Sequence, residues 1–161
     1  MRAVSRAPLN KALGCREMKR EILTYPLEPS QVKEELAFVV EHFGHLHYES
    51  CEVLFGSAWG IDYYSTPEWH YVKLPLAELV NEVERVEGGD WGQLGANDLF
   101  VKFPPLALEF HFCNDSDIHI YFDEPNDVTE FFYSHWKARQ FSPAEWLKPA
   151  QGPPTEQIRF N

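Results

Sequence analysis

The sequence predicts a single α+β domain: a mainly antiparallel sheet of about five strands with helices packed on one face, in the order αββαβββα. Three observations point there. Residues 106–122 alternate apolar and polar side chains with period two, interrupted by Asn114-Asp115-Ser116, the signature of a hairpin. Three other stretches carry apolar residues at helical spacing, so helices and strands mix along the chain. The 161 residues, 44% hydrophobic and with 12 Phe, 7 Tyr and 5 Trp, suffice for one core without disulfide or metal staples.

The first helix spans 31–43. Val32, Leu36, Val39, Val40 and Phe43 share one face, Pro29-Ser30 marks its start and Gly44 its end. Residues 47–55 and 59–65 then read as a hairpin around Gly56-Ser57-Ala58. That loop sets Phe55 against Trp59, Val53 against Ile61 and Cys51 against Tyr63 on one apolar face. Thr66-Pro67-Glu68 reads as a short helical turn. A second helix follows Pro75, with Leu76, Leu79, Val80, Val83 and Val86 inward and Gly88-Gly89 ending it. The glycine-rich segment 88–97, containing Trp91, reads as a surface loop. Leu99–Phe103, Leu106–Cys113 and Asp117–Phe122 are expected strands, the first closed by Pro104-Pro105. A helix across 127–140 follows, with Val128, Phe131, Phe132, His135 and Trp136 inward and Asp127 with Glu130 as a capping box. Ser142-Pro143-Ala144-Glu145 carries a second capping-box pattern and predicts a short helix. The chain thus divides into a basic leader over 1–20, a domain over 21–148 and an extended tail over 149–161.

Charge is unevenly placed. The chain carries 14 Lys+Arg and 25 Asp+Glu, a net of −11. Residues 1–20 hold six of the basic side chains and one acid, Glu17, leaving the rest at −16. The leader has no apolar stretch of the kind a secretory signal needs; its arginines are a feature shared with transit peptides. It reads most simply as a disordered arm, or as sequence upstream of a start at Met18. So acidic a domain repels nucleic-acid phosphates and anionic lipid surfaces, which sets both aside as partners. No run of about 18 apolar residues marks a membrane helix. Cys15, Cys51 and Cys113, odd in number and without a C-x-x-C pair, fit a reducing cytoplasm.

Candidate chemistry concentrates in Glu109–Asp123. With a three-residue turn, Cys113 opposes Asp117 and His111 opposes His119, so His111, Cys113, Asp117 and His119 share one sheet face. These four are potential ligands for a zinc-like ion. Polar strand faces more often meet solvent or a partner, and that reading takes precedence; no resident cofactor is expected. His42, His45 and His47 cluster at the end of the first helix, where the helix dipole favours their charged form. The glycine loop matches no phosphate-binding pattern. Cys51 and Cys113 sit at no recognisable nucleophile position and read as structural thiols.

From Phe103 to Trp136 there are seven acids and no Lys or Arg. A one-signed surface interleaved with aromatic rings suits steered binding of a basic protein. Glu109, Asp115, Asp117, Tyr121, Asp123, Glu124 and Trp91 are the candidate contacts. The run E-F-H-F-C-N-D-S-D-I-H-I-Y-F-D-E-P, leading into an aromatic helix within an acidic α+β chain, resembles the immunity proteins of bacterial polymorphic-toxin systems. Across residues 21–148 that resemblance is one of style and transfers no residue roles. It implies a non-enzymatic, cytoplasmic inhibitor of a basic, nuclease-like partner. The alternatives are a metal-binding module or metal-dependent enzyme using the His/Cys/Asp face, and a homo-oligomer joined through that face.

Overall fold

The computed structural model describes residues 18–56, 59–65, 68–147 and 156–159. The leader to residue 17, residues 66–67 of the expected turn and most of the tail lie outside the described residues. The elements run β1 (Arg20–Leu23), α1 (Pro29–His45), β2 (Ser50–Phe55), α2 (Trp59–Tyr63), β3 (Val72–Pro75), α3 (Leu79–Gly88), β4 (Leu99–Phe103), β5 (Leu108–Phe112), β6 (Ile118–Phe122), α4 (Asp127–Ala138), β7 (Ala144–Leu147) and β8 (Glu156–Arg159). They form one open sheet in the order β3-β2-β4-β5-β6-β1-β7-β8. Every pairing is antiparallel. The α+β class and the antiparallel sheet are as expected; the strand count exceeds the expected five.

The alternation in residues 106–122 does what period two requires. Leu108, Phe110, Phe112, Ile118, Ile120 and Phe122 are buried, each contributing roughly 1.5–3 kcal/mol by leaving water. Val53, Phe55, Leu99, Val101, Phe103 and Ile22 continue that face across the sheet. The helices lie on it. Phe43 of α1 stacks on Phe103 at 3.7 Å, and Phe132 of α4 meets Phe110 edge-on at 4.9 Å.

Four local expectations are corrected. Residues 59–63 form α2, not a second hairpin strand. Trp59, Ile61 and Tyr63 fit period two, but Trp59 and Tyr63 are also one helical turn apart, and both rings pack on Phe55, at 5.0 and 4.3 Å. Gly60 permits the close approach, because a Cβ there would sit 2.5 Å from the Phe55 carbonyl oxygen. The partners of β2 are instead β3 and β4. Residues 144–147 form β7, not a helix. Ser142 sits at φ 49°, outside the extended region an N-cap occupies. Glu145 is buried and pairs with Arg20 at 3.3 Å, which ties β7 to β1.

The remaining two corrections concern α4 and His42. The cap of α4 is Asn126 with Thr129, one residue before the expected pair. Phe131 is exposed while Tyr133 is buried. His42 does not act as a charged C-terminal cap: it stacks on Phe131 at 4.1 Å, and burial, with His135 and His45 nearby, lowers its pKa. Among the described residues no helix is long and apolar enough to cross a membrane.

α1 and α4 are joined through one buried carboxylate. Glu35 accepts from the Trp136 indole at 3.1 Å and from His135 Nε2 at 3.0 Å, with Arg139 at 3.9 Å. Its side chain is 1% exposed. Glu35→Ala is expected to leave those donors unpaired in the core and cost about 3 kcal/mol. Glu34→Ala, removing an exposed partner of Arg139, should change stability by less than about 1 kcal/mol. Urea unfolding of the two variants checks the difference.

Candidate functional site

The second sheet face carries the odd-numbered residues of the β5–β6 hairpin, while the ring contacts of α1 and α4 fall on the other face. His111 stands opposite His119 and Glu109 opposite Tyr121, as the turn length requires. β1 adds Glu21 opposite Tyr121, and β4 adds Phe100 and Lys102 opposite His111 and Glu109. The turn is set by Ser116 at φ 67°, by the Cys113 N–H donating to Asp117 O and the Ser116 N–H donating to Cys113 O, each at 3.0 Å, and by a Ser116 hydroxyl donating to Gly95 O at 2.9 Å.

Each histidine is held between two partners. His111 Nε2 donates to Asp98 Oδ1 at 2.9 Å, and its Nδ1 meets the Tyr121 hydroxyl at 3.1 Å. Asp98 also accepts from the Asn114 backbone N–H at 3.0 Å. His119 Nδ1 bonds to Glu21, while its Nε2 lies 3.0 Å from Asp117 Oδ1. That last contact is close but not directional as a hydrogen bond, and neither atom has another hydrogen-bond partner.

The electrostatics follow from this bracketing. Burial opposes a charged ring at His119, yet Asp117 and Glu21 outweigh it and hold its pKa at about 9. The His111 hydrogen bond holds the Asp98 carboxyl below the usual range against the effect of burial. Burial disfavours the Asp117 carboxylate, but His119 beside it prevails and lowers its pKa as well. Burial pushes the Cys113 thiol up to about 12, and does the same at Cys51. Neither thiol is therefore an activated nucleophile at neutral pH.

Of the four residues assigned to a metal, His111, Cys113 and His119 come together: one ring nitrogen of each histidine and the Cys113 sulfur lie within 4.8 Å of one another. Asp117 adjoins His119. The seven partner-binding candidates do not form one patch. Asp115 sits exposed on the β5–β6 turn, and Asp123 and Glu124 follow β6 at its other end, roughly 17 Å away along a five-residue strand. Tyr121 and Glu109 lie between, and Glu109 accepts from the Tyr71 hydroxyl. Trp91 is partly buried against the core beside Gly89. Sequence reasoning missed Asp98 and Glu21. Asp98 precedes the buried Leu99, so strand parity places it on the polar face; nothing local marks Glu21.

Among known proteins, no family model matches this chain, and no curated protein or solved structure does either.

The raised His119 pKa fixes the sign of a pH dependence. The stabilisation it represents is complete below the unfolded value of about 6.5 and is lost as pH rises through about 9. At about 1.4 kcal/mol per unit this amounts to roughly 3 kcal/mol. Asp98 and Asp117, with lowered values, contribute oppositely: their share is present above about pH 4 and is lost as pH falls through their folded pKa values. Urea midpoints measured with a chelator present should fall between about pH 6 and pH 9.5 in the native sequence. That alkaline decline should flatten in His119→Gln.

Proposed function

We propose that the chain is a non-enzymatic, cytoplasmic binding protein that docks a basic protein on the polar face of its sheet, in the manner of an immunity-type inhibitor. The observation that carries this reading is the composition of that face. Half-buried Trp146, Tyr121, Phe100 and Tyr71 supply aromatic surface, and exposed acids stand at both ends of the β5–β6 hairpin, Asp115 at one and Glu124 at the other. Aromatic anchors give affinity and rim charges give encounter rate, which is the division of labour at protein interfaces.

The acids are not equivalent. Glu21 and Asp117 share the single charge of His119, Asp98 bonds to His111, and Glu52 and Glu109 alternate with Lys73 and Lys102 across the β3–β2–β4–β5 rows. The acids left exposed around this hairpin are Asp115 and Glu124 at its ends, with Asp127 and Glu130 at the start of α4. Steering falls off beyond about 8 Å at physiological salt, so these positions act during the encounter and the aromatic middle acts after docking.

The test uses the products of reading frames adjacent to this one. Co-expression with a toxic basic product should restore growth, and the purified pair should associate more slowly as salt rises. Asp115→Lys with Glu124→Lys should cut the association rate by about tenfold while leaving dissociation nearly unchanged. Equal association rates for native and reversed proteins, or rates indifferent to salt, sink the reading.

A further inference from the structure

We infer that the turn-proximal end of the polar sheet face is a binding site for a zinc-class divalent ion, with His111, Cys113 and His119 as ligands and Asp117 closing the set. The inference rests on how the donors are aimed, independently of any protein partner.

Both histidines are fixed from the far side of the ring. The Tyr121 hydroxyl holds Nδ1 of His111, and the Glu21 carboxylate holds Nδ1 of His119. Both Nε2 atoms then face the rim that carries Asp98, Asp117 and Cys113. A carboxylate or hydroxyl on the outer nitrogen is how metal-binding histidines are oriented. The rings stack at 5.3 Å between centroids, side by side on paired strands.

The second observation is the contact between His119 Nε2 and Asp117 Oδ1. These atoms lie 3.0 Å apart as an ion pair, are shielded from solvent, and have no other hydrogen-bond partner. Two buried ligand atoms this close, with no further partner, can both turn to an ion beside them once the His119 proton is lost. The cluster is also nearly the right size. Bonds of about 2.0–2.3 Å in a tetrahedral site separate ligands by roughly 3.3–3.7 Å. The present spread of up to 4.8 Å closes to that with shifts of about 1 Å, small for side chains next to a turn.

Donor chemistry selects the ion. Two imidazoles, a thiol and a carboxylate are a nitrogen–sulfur–oxygen set that suits zinc or its spectroscopic substitute cobalt(II), and not calcium or magnesium, which take oxygen. On binding, the Cys113 thiol and the charged His119 ring each release one proton to solvent. The His111 proton moves from Nε2 to Nδ1, where it is donated to the Tyr121 hydroxyl, and the ion takes the place of these protons. Asp98, freed from His111, keeps its bond to the Asn114 N–H and remains available to water or to the ion's outer shell.

The experiment is a cobalt(II) titration of chelator-stripped full-length protein, followed by absorbance, with zinc displacement. The expected result is saturation at one equivalent, a near-ultraviolet sulfur-to-cobalt band and visible bands of a tetrahedral ion. Cys113→Ser should abolish the sulfur band and weaken binding by more than about 100-fold, and Glu21→Gln should weaken it by roughly 10–100-fold. Cys15→Ser and a His45→Gln/His47→Gln double variant should bind as the native protein does. Circular dichroism reports whether each variant folds; Cys113, at a half-exposed turn position outside the core, keeps the test decisive if a strand variant fails. No saturable binding, or a sulfur band that survives Cys113→Ser, overturns the proposal.

Discussion

The register of the β5–β6 hairpin is the constraint on which the other features depend. With Cys113 bonded to Asp117 and Ser116 in a left-handed conformation, His111 stands opposite His119 and Phe110 opposite Ile120. A slip of β6 by one residue against β5 would send Ile118, Ile120 and Phe122 to the polar face and bring His119 and Tyr121 under the helices. Core and site are therefore specified by the same turn. The apolar half of that specification is held from outside by Phe132 of α4 and Phe43 of α1, and the polar half by Asp98, just before β4, and by Glu21 of β1.

What the sequence made legible follows from this. Long runs with a single period were readable: residues 106–122 as strands, and α1, α3 and α4 as helices with their buried stripes. The hairpin register, and with it the histidine pair, followed from turn length alone. Short strands stayed hidden because their signal is not local. β1 buries one apolar side chain, Ile22, and exists because β6 and β7 flank it on both sides. β7 carries a helix-start pattern that lost to an ion pair with Arg20, a residue 125 positions earlier in the chain. The same holds for the site. His111 and His119 were visible as a pair, whereas Glu21 reaches His119 only once β1 has inserted beside β6.

Net charge proved a coarse guide for a physical reason. The domain carries a large excess of acids, but several of them are consumed inside the sheet. Glu35 is a buried acceptor that fastens α1 to α4, Glu145 fastens β7 to β1, and Asp98, Asp117 and Glu21 are spent on the two histidines. A carboxylate with a close cationic partner, as Glu145 has in Arg20 and as Glu21 and Asp117 share in His119, adds less to the far field, since an ion pair acts as a dipole whose potential falls faster than that of a charge. One bonded only to neutral donors keeps its charge. The field a partner would feel comes from the exposed acids, which include Asp115 and Glu124 at the hairpin ends, Asp127 and Glu130 in the first turn of α4, and acids of α1 and α3 such as Glu41 and Glu84.

The turn itself separates the two properties proposed for this face. Cys113 and Asp117 belong to the polar sheet face and point their polar atoms at the histidines, while Asn114 and Asp115 lie between them and are exposed. An ion among the inward set would rigidify the hairpin end from which Asp115 projects. A cation brought to Asp115 need not disturb the inward set, since its charge is not part of that network. The two readings are thus physically adjacent and separately mutable: one is decided by sulfur and nitrogen donors beneath the turn, the other by carboxylates on its outside.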